Sequence, residues 1–112
     1  MNEEFIHKWE SQVKKGILEL VVLNILNNRD YYGYELIEEI RNYTLIEIAE
    51  GTLYPLLIRL KESNLVISEW VEQDSGIPRK YYSITLDGKK TLKELNIYWE
   101  NLTRSIQKIT TR

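Results

Sequence analysis

The chain has 112 residues, enough for one domain with a modest core and too few for two. With 43% hydrophobic and 29% charged residues, it has the balance of a folded globular chain rather than a disordered one. Cysteine is absent, which excludes disulfides, thiolate catalysis and Cys-based zinc sites, and a single histidine, His7, leaves no basis for a His triad or a multi-His metal site. The net charge of −2 leans against nucleic acid as a sum, but the charges are unevenly distributed along the chain.

Residues 3–28 read as one long helix or two abutting ones. Phe5, Ile6, Trp9 and Val13 make a stripe, and after Gly16 residues 17–26 are apolar on nearly every side. A helix apolar all round must be covered all round, and a small domain covers one side only. Glu19 and Asn24 interrupt the run, which falls short of the ~18 apolar residues of a membrane span. No basic n-region follows Met1, so a signal peptide is not expected and the cytoplasm is the expected compartment.

Residues 27–30 spell a turn, and residues 33–42 a short amphipathic helix with Leu36, Ile37 and Ile40 inward. The alternation at Leu45, Ile46, Glu47 and Ile48 predicts a short strand. A third helix is expected over 50–63, where Leu53, Leu56, Leu57 and Leu60 form one core-facing stripe. Pro55 lies near its start, and Asn64 suits a left-handed cap. Two strands follow, 66–72 and 80–85, joined by a turn at Asp74, Ser75 and Gly76. The last helix is expected over 87–110, with Leu92, Leu95, Trp99, Leu102, Ile106 and Ile109 spaced as a coiled-coil seam. At ~1.5 Å per residue it extends roughly 35 Å, more than such a domain needs for itself. This order suits a helix-turn-helix followed by a wing, an α+β fold that is mainly α. No paired nucleophile and base, phosphate-cradling glycine loop or metal-ligand spacing suggests an enzyme or a cofactor.

Three stretches carry a resemblance: Tyr32-Gly33-Tyr34-Glu35-Leu36; Gly51-Thr52-Leu53-Tyr54-Pro55-Leu56-Leu57 with Arg59-Leu60; and Arg79-Lys80-Tyr81-Tyr82-Ser83-Ile84-Thr85 followed by Asp87-Gly88-Lys89. Their order and spacing resemble the PadR-like transcriptional regulators over about residues 14–110. The short length and single C-terminal helix are similar to the compact PadR subfamily. The resemblance implies a winged helix-turn-helix with a two-stranded wing, whose N- and C-terminal helices build a homodimer. It also implies repression from a palindromic double-stranded DNA operator. On this basis residues 1–86 are the DNA-binding domain and 87–112 the dimerisation helix. Two departures stand out. The run Gly76-Ile77-Pro78-Arg79-Lys80 has one basic residue fewer than the richest versions, and Glu50 precedes Gly51.

On this reading Thr52 and Tyr54 meet base edges or phosphates in the major groove, Arg59 meets the backbone, and Gly51 allows close approach. Arg79 and Lys80 of the wing meet phosphates, and the Tyr34 hydroxyl reaches another. The bland alternative is ordinary exposed helix and hairpin residues, with Arg59 paired to Glu62 and Tyr34 half-buried. Lys89, Lys90 and Lys93 lie beyond the wing while Glu35, Glu38, Glu39, Glu47 and Glu50 cluster earlier, so an acidic chain can still show a basic face. Trp99 either fills the dimer interface or, as in some relatives, lines a cavity for a small aromatic effector with Val13, Gly16, Leu20, Asn96 and Thr103. A second class of function, a winged-helix adaptor binding protein rather than DNA, also suits the acidic balance. An acidic or apolar surface on the third helix and wing distinguishes it.

Overall fold

The computed structural model describes residues 2–112. Helix α1 (Glu3–Leu26) runs unbroken through Gly16, so residues 3–28 hold one helix rather than two. Only its last third is buried, at Leu18, Val22, Leu23, Ile25 and Leu26, while Ile17, Leu20 and Val21 pack partly against the core. Phe5, Ile6 and Trp9 are exposed.

After the turn comes β1 (Tyr31–Tyr32), a strand absent from the expectation. Two tyrosines give no alternation to read; pairing with a distant strand makes them one. Helix α2 (Gly33–Thr44) buries Leu36 and Ile40 and opens with the Tyr32 N–H donating to Glu35 Oε1 at 3.1 Å. It stops at Leu45, whose φ of 61° is left-handed, with the Leu45 N–H donating to the Arg41 carbonyl at 2.8 Å.

Residues 45–48 form no strand, against the expectation. Ile46 and Ile48 are buried and Leu45 and Glu47 exposed, so the alternation is real. It reflects a loop with one side on the core, because the sheet contains only β1, β2 (Val66–Val71) and β3 (Arg79–Ile84) among the described residues.

Helix α3 (Glu50–Glu62) starts as the Ala49 carbonyl accepts the N–H groups of Thr52 and Leu53, and buries Leu53, Leu56, Leu57 and Leu60 as one stripe. Pro55 lies a turn further in than the helix start, and it has no N–H to offer the Gly51 carbonyl. Both residues face solvent, where water can take the hydrogen bond. Asn64 is the left-handed cap expected, with φ 62°, and the Leu65 N–H donates back to the Leu60 carbonyl.

The sheet is antiparallel in the order β1-β3-β2. The hairpin register runs from Val66 opposite Ile84 to Val71 opposite Arg79, and Gly76 takes φ 84° at the turn. Tyr31 and Tyr32 pair with Tyr82 and Tyr81. The wing is thus two strands of a three-stranded sheet.

Helix α4 (Leu86–Thr110) is tied down at its start. Thr85 Oγ1 accepts the Gly88 N–H at 2.8 Å and donates to the Asn64 carbonyl at 2.7 Å, while the Thr85 N–H donates to the Leu65 carbonyl. A Cβ on Gly88 would fall on that Leu65 carbonyl and 2.6 Å from Ile84 Cγ1, so only glycine fits. Leu92 joins the core, and Asn96 exchanges two side-chain hydrogen bonds with Asn24 of α1, at 3.0 and 3.1 Å. Beyond that the helix leaves the domain. The radius of gyration is 16.3 Å, against about 13 Å for a compact chain of this length. No described helix is long and apolar enough to cross a membrane.

Candidate nucleic-acid interface

The leucine stripe of α3 fixes what the helix shows to solvent. Gly51, Thr52 and Arg59 are all exposed, and Gly51 has no neighbour that a Cβ would meet within 4 Å. Among the described residues Arg59 forms no ion pair, with Glu62 or any other acid. The outermost ridge, i to i+4 and i+7 from Gly51, is Pro55 and Ile58. Ile58 is an exposed apolar residue that the pattern of charges and glycines had not singled out.

Tyr54 turns away from that ridge. Its ring lies over Gly33 at the start of α2, where a Cβ would come within 2.5 Å of the Tyr54 hydroxyl. Gly33 is therefore the residue that lets Tyr54 lie down, and this side chain braces α3 against α2 while staying 37% exposed. Tyr34, expected to reach a phosphate, stands in the first turn of α2. It is exposed rather than half-buried, and hydrogen bonding to Glu38 one turn on holds its phenol above the ordinary value.

Tyr54 and Gly33 form one wall of an open cleft of about 450 Å³, completed by Tyr32, Trp70, Arg79, Lys80 and Tyr82. The Arg79 guanidinium lies over the Tyr32 ring at 4.5 Å and the Lys80 ammonium over Trp70 at 5.7 Å. Tyr32 in turn meets the Tyr81 ring edge-on at 5.6 Å. Neither cation has an acid within ion-pair distance among the described residues. Burial, and to a lesser degree Tyr54, push the Tyr82 phenol above its ordinary value, so Tyr82 stays neutral beside the two cations. The cleft thus gathers Tyr54 with Arg79 and Lys80, and leaves Thr52 and Arg59 on the outer helix surface. Trp70 was within reach of the sequence, because a hairpin turning at Ser75 sets residue 70 opposite 80. Tyr32 was not, because its place depends on β1.

The six residues expected around an effector between protomers are divided between α1 and α4. Val13 lines a groove with Trp9, Glu10, Lys14, Ile17 and Ile46, on the side of the loop before α3. Gly16 is exposed, with nothing beside it. Leu20 packs partly against the core, and its carbonyl accepts from Asn24. Asn96 has both ends of its amide taken by Asn24. The Thr103 hydroxyl donates to the Trp99 carbonyl at 2.7 Å, and Trp99 itself is 41% exposed.

A domain of this kind, a helix-turn-helix with a cationic wing, is matched by known proteins. The family model of the transcriptional regulator PadR-like family matches residues 22–94. A PadR family transcriptional regulator from Eggerthella lenta is 33% identical, with a TM-score of 0.85 over 96% of this chain and 93% of that one. A PadR-like transcriptional regulator from Bacillus cereus is 32% identical, with a TM-score of 0.80 over 88% of this chain and 95% of that one. The transcriptional regulator YqjI of Escherichia coli is 37% identical over 81 residues, which make up 70% of this chain but 37% of that protein. The chain belongs to the PadR-like family of transcriptional regulators. Its relatives are DNA-binding regulators rather than enzymes, and the winged, mainly helical fold expected from the sequence is the one found.

Proposed function

We propose that this regulator is a homodimeric repressor that sets two α3 helices into successive major grooves of a palindromic operator. Gly51 and Thr52 are its groove contacts, Arg59, Arg79 and Lys80 its phosphate contacts, and Tyr54 the brace that fixes the angle of α3. The observation that carries this reading is the convergence of Arg79 and Lys80, unpaired by any described acid, on the cleft beside α3. An adaptor would be marked by an acidic or apolar surface on α3 and the wing, rather than by two unpaired cations there. Tyr34, exposed at the start of α2, is a further candidate for a phosphate contact through its hydroxyl.

The dimerisation element we assign is the part of α4 past Leu92, with the exposed start of α1. Leu95, Trp99, Leu102, Ile106 and Ile109 form a continuous apolar stripe that nothing in one protomer covers. An effector site at Trp99 would lie at the dimer centre, shared between the two protomers. A small aromatic ligand there would release DNA only by favouring one spacing of the two α3 helices.

The test is titration of the promoter duplex of its own gene at several salt concentrations, with wild type and the Arg79→Ala/Lys80→Ala pair. Binding that falls steeply with salt in wild type and less steeply in the pair supports the reading; equal slopes overturn the wing contacts, and no binding overturns the repressor. Planar aromatic compounds should quench wild type more than Trp99→Ala and weaken its DNA binding. Equal quenching with DNA binding unchanged makes Trp99 an interface residue alone.

A further inference from the structure

Arg79 and Lys80 are neighbours on a strand, so their side chains leave β3 on opposite faces. Both nevertheless line one cleft. Lys80 arrives there directly, since its cross-strand partner is Trp70 and the two share a face of the sheet. Arg79 arrives by another route. β1 is only two residues long and pairs with β3 at Tyr81 and Tyr82, so the edge of β3 is open at Arg79. The Arg79 guanidinium passes that open edge and lies over Tyr32, the last residue of β1.

Trp70 is 65% exposed, and no burial of its own accounts for so large an aromatic there. Tyr32 is half-buried, and its backbone N–H holds the first turn of α2 through Glu35. The contrast with Arg29 is informative. That guanidinium also lies over a tyrosine, Tyr31, at 3.7 Å, but it is in addition paired with Glu35 at 3.4 Å and bonded to the Asp30 carbonyl. Arg29 has the contacts of a structural cation. Arg79 and Lys80 have ring faces beneath them and, among the described residues, no acid beside them.

We propose that Tyr32 and Trp70 are positioning residues: an aromatic frame that holds Arg79 and Lys80 at one cleft, oriented but uncompensated, for two phosphates of one DNA backbone. The proposal rests on the DNA-binding reading above. An ion pair would have fixed the cations equally well and cancelled the charge they need; a ring face fixes them and leaves the charge in place. The frame also removes in advance part of the rotamer freedom that a lysine or arginine gives up on meeting a phosphate.

The experiment has an arm without DNA and an arm with it. In the free protein, ring currents should displace the proton resonances of the Lys80 ε-methylene upfield, and Trp70→Leu should abolish the displacement; Tyr32→Leu should do the same at the Arg79 δ-methylene. Absence of both displacements in wild type overturns the frame, whatever the protein does with DNA.

The second arm measures binding to a random-sequence 24-base-pair duplex, a length chosen to take two wings, because phosphate contacts carry no sequence. Trp70→Leu should weaken binding about two- to fivefold, the range of an exposed cation–aromatic interaction, and Trp70→Phe should restore most of it. Lys80→Ala should lower the salt slope by about 0.9 for each phosphate it leaves unneutralised. In the Lys80→Ala background Trp70→Leu should cost nothing further, the non-additivity that marks a residue acting through another. If Trp70→Leu weakens binding equally in both backgrounds, Trp70 touches DNA itself and the positioning role is overturned. If the ring-current displacements are present but wild type binds no duplex, the DNA reading fails and the frame's purpose with it. Thermal melting of each variant separates these outcomes from loss of fold.

Discussion

Leu18, Val22, Leu23, Ile25 and Leu26 of α1 lie packed against α2, β3 and the start of α4, whereas Leu95, Trp99, Leu102, Ile106 and Ile109 of α4, no less apolar, stand open. Both stretches have helical spacing and similar side chains. What separates them is what the chain brings alongside. The end of α1 is followed at once by a turn that returns the chain over it, while the stripe on α4 is left exposed. The comparison teaches that apolar periodicity reports the need for cover and is silent on who provides it. In α1 the cover is internal; for the stripe on α4 the proposed cover is a second protomer.

Four measurements sharpen that division, beginning with the largest effect. Leu23 is fully buried, so Leu23→Ala should cost about 2–5 kcal/mol in chemical denaturation, with a matching fall in melting temperature. A cost under about 1 kcal/mol would place that region outside the core. Gly88→Ala should cost about 1–3 kcal/mol, because the added methyl meets a backbone carbonyl that cannot step aside. Gly16→Ala, with open space around it, should stabilise α1 and serves as the control.

Next comes pH. Tyr82 is buried as the neutral phenol and titrates above its ordinary value of 10.0. The native state therefore holds a proton that the unfolded chain loses near pH 10, so this contribution is complete below that pH and is lost as pH rises through the native value. Ultraviolet titration should show Tyr82 among the last tyrosines to ionise, and Tyr82→Phe should flatten the alkaline loss of stability. The smallest effect on the fold is expected at Leu102. Leu102→Lys should change the stability of the winged domain by about 0.5 kcal/mol or less, yet shift the sedimenting mass from dimer to monomer at micromolar concentration. A wild type that sediments as a monomer would leave the α4 stripe without its proposed cover.

The helices were legible in the sequence because each carries a stripe of apolar residues at helical spacing, and the hairpin because Asp74, Ser75 and Gly76 spell its turn. What could not be read is what depends on partners far away in sequence. Tyr31 and Tyr32 become a strand only by pairing with Tyr82 and Tyr81, and residues 45–48, which alternate as well, pair with no strand of the sheet. The candidate site divides in the same way. Arg79 and Lys80 were visible as wing cations, and the register of the hairpin put Trp70 within reach. That Tyr54 lies on Gly33 could not be seen, because two residues 21 positions apart reveal their contact only when α2 and α3 are packed. The effector set around Trp99 drew residues from two helices that one chain joins mainly near Asn24 and Asn96.

The junction at Thr85 has a mechanical meaning. One threonine receives the Gly88 N–H with its hydroxyl oxygen and grips the Asn64 and Leu65 carbonyls, while Gly88 sits against Leu65 with no clearance. The end of α3 and the beginning of α4 are thereby welded into a single crank. α4 has 25 residues, an arm of about 37 Å. A tilt of its far end would therefore be passed through Thr85 and Gly88 toward the end of α3.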